Sequence, residues 1–107
     1  NLEKREYRGT NSKQIHLIEP INKKCSKSSL IFKWNFVKNS EYYVLELFDD
    51  TLYPVWKSQK IFKAQATLPL EISNRLKKDK AYFWMVIAFL NHGKKIESRL
   101  EKFTLTD

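Results

Sequence analysis

Apolar residues recur at every second position in several short stretches of this chain. Between Ala81 and Leu90, Tyr82, Trp84, Val86 and Ala88 alternate with Phe83, Met85, Ile87 and Phe89. A period of two marks a strand whose two faces meet different surroundings. The same period places Leu30, Phe32 and Trp34 on one face of a strand over 30–36, opposite Ile31, Lys33 and Asn35. In the segment starting at Tyr42 it sets Tyr43, Leu45 and Leu47 against Tyr42, Val44, Glu46 and Phe48. A first edge strand is read over 15–20, with Ile15 and Leu17 inward, closed by Pro20, which cannot donate to a ladder.

Between these runs lie turn signals. Residues 21–29 read as a polar loop, Asn39 and Ser40 as a turn, and Asp49 with Asp50 as the end of the third strand. A short edge strand begins at Pro54, and another covers 66–70 with Pro69 near its end. Leu68, Ile72 and Leu76 stand four apart, which predicts a helical turn that tucks Leu76 inward. Gly93 supplies the positive φ wanted by the turn before a last strand over 96–105. Seven short strands with no long amphipathic helix predict an all-β, antiparallel two-layer sandwich. Residues 1–14, mixed in charge with only Leu2 and Tyr7 as sizeable apolar groups, read as a flexible N-terminal tether to a domain over 15–107.

At 107 residues the chain has room for one domain. It holds no run of the roughly 18–20 apolar residues that cross a bilayer, so no membrane insertion is expected of this segment. Its opening lacks the apolar middle of a signal peptide, which suggests an excised domain with any signal or anchor upstream. The net charge of +8 invites a nucleic-acid reading, but of the 20 Lys and Arg only Arg5, Arg8, Arg75 and Arg99 are arginines. Scattered lysines lack the guanidinium forks that phosphate and base recognition favour, which argues against a nucleic-acid partner.

Residues fit for catalysis are few. Cys25 is the single cysteine, so no intrachain disulfide forms, and His16 and His92 lie far apart in the chain. No HxxxH, CxxC, GxSxG or glycine-rich phosphate loop occurs. The expectation is a protein that is not an enzyme and holds no metal or cofactor. The neighbouring lysines of Cys25 favour its thiolate, yet no base or resolving cysteine accompanies it. Asp49 and Asp50 read as turn formers, because no further oxygen-ligand pattern follows them. Trp34 and Trp84 fall on inward positions. Trp56 and Tyr53, beside Pro54 on an edge, leave two readings open: a patch for sugar or peptide, or a lid over the sandwich's open side.

The order of Pro20, Trp34, Tyr43–Leu47, Leu76 with Tyr82, then Trp84, Val86, Ala88, Gly93 and Ser98 resembles a fibronectin type III-like, or immunoglobulin-like, domain from about Ile15 to Leu105. The resemblance implies that Trp34 packs on Tyr43 in the core and that the Tyr82 hydroxyl bonds the backbone of the loop before it. It also implies that the loop bearing Lys23, Lys24 and Lys27 meets the one bearing Arg75, Lys77, Lys78 and Lys80, away from the tether. More narrowly, REYRG (5–9), ELFDD (46–50), PVWKS (54–58), YFWMV (82–86) and the Ser98–Phe103 spacing are similar to the ectodomain of bacterial membrane-anchored anti-sigma-factor-like proteins. That likeness implies an extracytoplasmic domain tethered by an upstream helix, although a free cysteine also suits the cytoplasm. The expected role is a non-catalytic protein-interaction or sensory module. The alternatives are a carbohydrate- or cell-wall-binding module using Tyr53 and Trp56, and a basic nucleic-acid-binding domain. Candidate surface residues are Tyr53, Trp56, Lys23, Lys24, Lys77 and Lys78.

Overall fold

A computed structural model describes residues 14–107, so the expected tether falls almost wholly outside the described residues. The strands are β1 (Leu17–Glu19), β2 (Lys23–Cys25), β3 (Phe32–Trp34), β4 (Ser40–Asp49), β5 (Pro54–Lys57), β6 (Gln65–Ala66), β7 (Ala81–Leu90), β8 (Lys95–Glu97) and β9 (Glu101–Leu105), with one helical turn, α1 (Leu70–Ser73). They form two sheets. The smaller has the order β1-β3-β6; the larger has the order β2-β9-β7-β4-β5, with β8 also on β7. The chain is an all-β sandwich.

The antiparallel pair β4–β7 is the scaffold, in register from Asp49↔Tyr82 to Tyr43↔Ala88. Its inward residues Tyr43, Leu45, Leu47, Tyr82, Trp84, Val86 and Ala88 meet Phe32 and Trp34 of the facing sheet. Aromatic edges set the packing: the Phe32 and Trp84 ring centroids lie 4.9 Å apart, and those of Trp34 and Tyr43 5.4 Å apart, both edge to face. The expected Trp34–Tyr43 contact is therefore present.

Ser98 and Ser58 finish the edges of this scaffold by one device. Leu45 and Val86 are a non-hydrogen-bonded pair of the β4–β7 ladder, so their own N–H and C=O groups point to opposite flanks. On one flank the Leu45 N–H donates to Ser58 Oγ (2.9 Å), and the Ser58 N–H donates to the Leu45 carbonyl (2.9 Å). On the other, the Val86 N–H donates to Ser98 Oγ (2.9 Å), and the Ser98 N–H donates to the Val86 carbonyl (2.9 Å). Each hydroxyl donates a hydrogen bond to the next carbonyl, that of Gln59 at 2.7 Å and that of Arg99 at 2.8 Å. A serine oxygen thus stands in for a backbone carbonyl where each edge strand turns away.

The corner before β7 is built as expected. Leu76 is buried below α1, and the Lys77 N–H donates to the Tyr82 hydroxyl at 2.8 Å. Tyr82→Phe removes that acceptor, and a loss of about 1–2 kcal/mol is expected in urea unfolding. An unchanged midpoint would show that the corner bond adds nothing. Gly93 has φ 75°, and a Cβ there would meet nothing within 4 Å, so the turn needs its backbone freedom rather than its small size.

Four expectations need correction. Residues 21–29 are not all loop: Lys23–Cys25 forms β2, which runs parallel to β9, so the sandwich is not wholly antiparallel. The strand expected over 66–70 is β6, Gln65–Ala66, because pairing stops at Ala66 and Pro69 caps α1. The last strand is two, β8 and β9, separated where Ser98 turns out of the ladder. The count of seven thereby becomes nine among the described residues.

Candidate functional site

Trp56 sits opposite Leu47 on β5 and packs half-buried against the core. Its remaining exposure faces a groove of about 440 Å³ between the free edges of the two sheets, where Ile61, Ala66 and Pro69 share the lining. Lys57, Lys60 and Glu71 add charge to the groove walls. Lys57 Nζ reaches Glu46 at 3.5 Å, while Lys60 Nζ lies 4.7 Å from the Tyr42 ring centroid, held over its face. Trp56 thus packs on the core and also lines the groove. The side chain closes the sandwich and also floors a recess.

Tyr53 is 69% exposed and is not among the residues lining that groove. Its N–H donates to Asp49 Oδ1 (3.0 Å), which also accepts from the Thr51 N–H (2.8 Å) and hydroxyl (2.7 Å). The Thr51 hydroxyl, then the Tyr53 N–H, hold the Asp49 carboxyl below its ordinary range. Asp49 is thus a turn former that shapes the β4–β5 loop.

The lysines of the other candidate surface lie on separate elements. Lys23 and Lys24 are exposed on β2, and with Lys102 they line a shallow recess of about 240 Å³. Lys23 Nζ is 3.7 Å from Glu19. Lys77 and Lys78 are exposed in the loop before β7. That loop meets the end of β2 through β9: the Asp79 N–H donates to the Leu105 carbonyl (2.8 Å), and the Thr106 N–H to the Cys25 carbonyl (3.0 Å). The two lysine groups thus share one end of the sandwich. Burial, opposed by Lys23 and reinforced by Asp107, raises the Cys25 thiol above its ordinary pKa. The expected thiolate is therefore not favoured, because burial outweighs the neighbouring charge.

Among the described residues, no three His, Cys, Asp or Glu side chains gather as metal ligands. Nor is any described helix long and apolar enough to cross a membrane. Two exposed aromatics escaped the sequence reading. Strand alternation would carry Phe36 inward after Trp34, but Val37 takes the buried place and Phe36 is turned out, while Phe62 projects from the loop before β6. A residue beyond the last ladder bond no longer obeys the period of two, so only Ile61 and Ala64, both packed on the core, hinted that Phe62 points away.

The chain matches no protein-family model and no curated protein sequence. Among solved structures it is similar to CopC from Methylosinus trichosporium OB3b, with a TM-score of 0.58 and 17% identity. The match covers 87% of this chain and 94% of that one. At that identity the likeness shows a shared β-sandwich fold.

Proposed function

We propose that the chain is a non-catalytic protein-interaction or sensory module, fibronectin III-like in type, and the extracytoplasmic domain of a larger, membrane-anchored bacterial protein. The groove at Trp56 carries this reading: it lies between two free strand edges, with an aromatic floor and charged walls. The hydroxyls of Tyr43, Ser58, Tyr82 and Ser98 support it, because each bonds backbone and serves the scaffold. The Trp34–Tyr43 contact and the Tyr82 corner support the fibronectin III-like assignment. The likeness to anti-sigma-factor-like ectodomains supports the compartment.

Two measurements on the full-length protein in its own cells test this. A photo-crosslinking residue at Gln59, on the groove wall, is expected to trap one discrete protein, and Trp56→Ala is expected to abolish the product. Quenching of Trp56 fluorescence by cell-wall glycan fragments, with no protein trapped, would replace the protein partner with a glycan. For the compartment, Lys78→Cys in a Cys25→Ser background is expected to react with a membrane-impermeant maleimide in intact cells. Protection until lysis would overturn the extracytoplasmic placement.

A further inference from the structure

Phe36 and Phe62 are 72% and 75% exposed, at the end of the sandwich opposite the Lys77 loop. One exposed phenylalanine is ordinary on a protein surface. These two project from neighbouring segments. The Trp34 N–H donates to the Ala64 carbonyl (3.1 Å), and Tyr43 pairs with Ile61, which lays residues 61–64 beside 34–37. The turn Asn91–Gly93 joins them, since the Asn91 N–H donates to the Asn39 carbonyl (3.3 Å).

Charge at this end has one dominant sign. Lys38, Lys60, Lys63, Lys94 and Lys95 are all exposed in segments 35–41, 58–64 and 91–95, where Glu41 is the only carboxylate. The end of the described chain also lies here: the Asn35 amide donates to the Gln14 carbonyl (3.0 Å), and the Asn35 N–H to the His16 carbonyl (3.2 Å). The described chain therefore begins at this same end.

We propose that this end docks on an anionic lipid bilayer, with Phe36 and Phe62 entering the boundary between headgroups and acyl chains and the lysines facing lipid phosphates. Apolar rings at that boundary remove their surface from water, and each nearby lysine gains from the negative surface potential. A protein partner with an acidic face would match the charge as well. The bilayer is favoured because the described chain begins at this same end, on the side of its proposed anchor. The inference rests on the membrane-anchored reading only in that the anchor brings a bilayer within reach.

Sedimentation of the 107-residue chain with vesicles tests it. Binding is expected to phosphatidylglycerol–phosphatidylcholine vesicles, weakened by added salt, with little binding to phosphatidylcholine alone. Phe36→Ala/Phe62→Ala should lower the bound partition by about tenfold while leaving the melting curve in place, because both rings are exposed. Lys60→Ala/Lys63→Ala should weaken binding, whereas Lys77→Ala/Lys78→Ala, the same charge removed at the far end, should not. No binding to anionic vesicles, full binding by the double phenylalanine variant, or equal loss from both lysine pairs would each overturn the proposal. Vesicle binding and thiol labelling are read separately, so either reading can fail alone.

Discussion

Trp84→Ala is expected to lower the unfolding free energy by about 3–5 kcal/mol, the usual cost of emptying a large aromatic site in a core. A domain of this size holds about 5–15 kcal/mol in all, so the variant stands at the edge of folding. Trp84 is fully buried, with the Phe32 ring at 4.9 Å and the Trp34 ring at 6.4 Å. Its indole N–H also donates to the Pro20 carbonyl at 3.0 Å, where the chain crosses from β1 to β2. Trp34 gives the control. Its indole nitrogen is buried with no acceptor among the described residues. Trp34→Phe therefore removes no hydrogen bond, whereas Trp84→Phe leaves the Pro20 carbonyl without its donor. Urea unfolding should find Trp84→Phe the more damaging of the two by about 1–3 kcal/mol. Equal losses would show that ring volume alone decides both sites.

Ser58→Ala and Ser98→Ala are each expected to cost about 1–3 kcal/mol, because each strands a backbone N–H of a fully buried residue. Such costs are unusual for serines at the margins of a sheet. The two sites are coupled through geometry, since Leu45 and Val86 are direct cross-strand partners. The double variant should therefore depart from the sum of the single losses. Hydrogen exchange supplies a local readout: the Leu45 amide should lose protection in Ser58→Ala, and the Val86 amide in Ser98→Ala. Protection that persists in both variants would mean that water replaces the hydroxyl, and the stability losses should then shrink.

Trp34, Tyr43, Tyr82 and Trp84 were legible as inward positions because strand period sets them there, while the Trp34–Tyr43 contact and the Tyr82 corner bond were expected from the resemblance to fibronectin type III-like domains. Leu76 was legible as inward from its spacing with Leu68 and Ile72, and as part of the corner from the same resemblance. Lys23–Cys25 was not legible: β2 pairs with β9 through backbone groups, and its lysines carry no apolar alternation to announce a strand. Phe36 failed in the opposite way. Its neighbours alternate, yet the ladder ends at Trp34, and the side chain turns to solvent. Trp56 remained ambiguous in sequence because its position is itself double, half against the core and half toward the groove. Ser58 and Ser98 lie in the segments that carry the resemblances, but the role of their hydroxyls was not legible, since a hydroxyl replacing a carbonyl is a matter of where two edges diverge. Cys25 shows a charge argument reversed by burial that only the fold supplies.

The parallel pairing of β2 with β9 bears on how the domain would carry tension. Bonds from the Asn22 N–H to the Lys102 carbonyl (2.6 Å) and from the Thr106 N–H to the Cys25 carbonyl (3.0 Å) bracket that pair. If one partner holds the chain before β1 and another pulls beyond Asp107, the two strands are drawn past each other lengthwise. Their cross-links are then loaded all at once, as in a lap joint, instead of parting one after another like a zip. A domain strung between an anchor and a moving partner would give way late and abruptly.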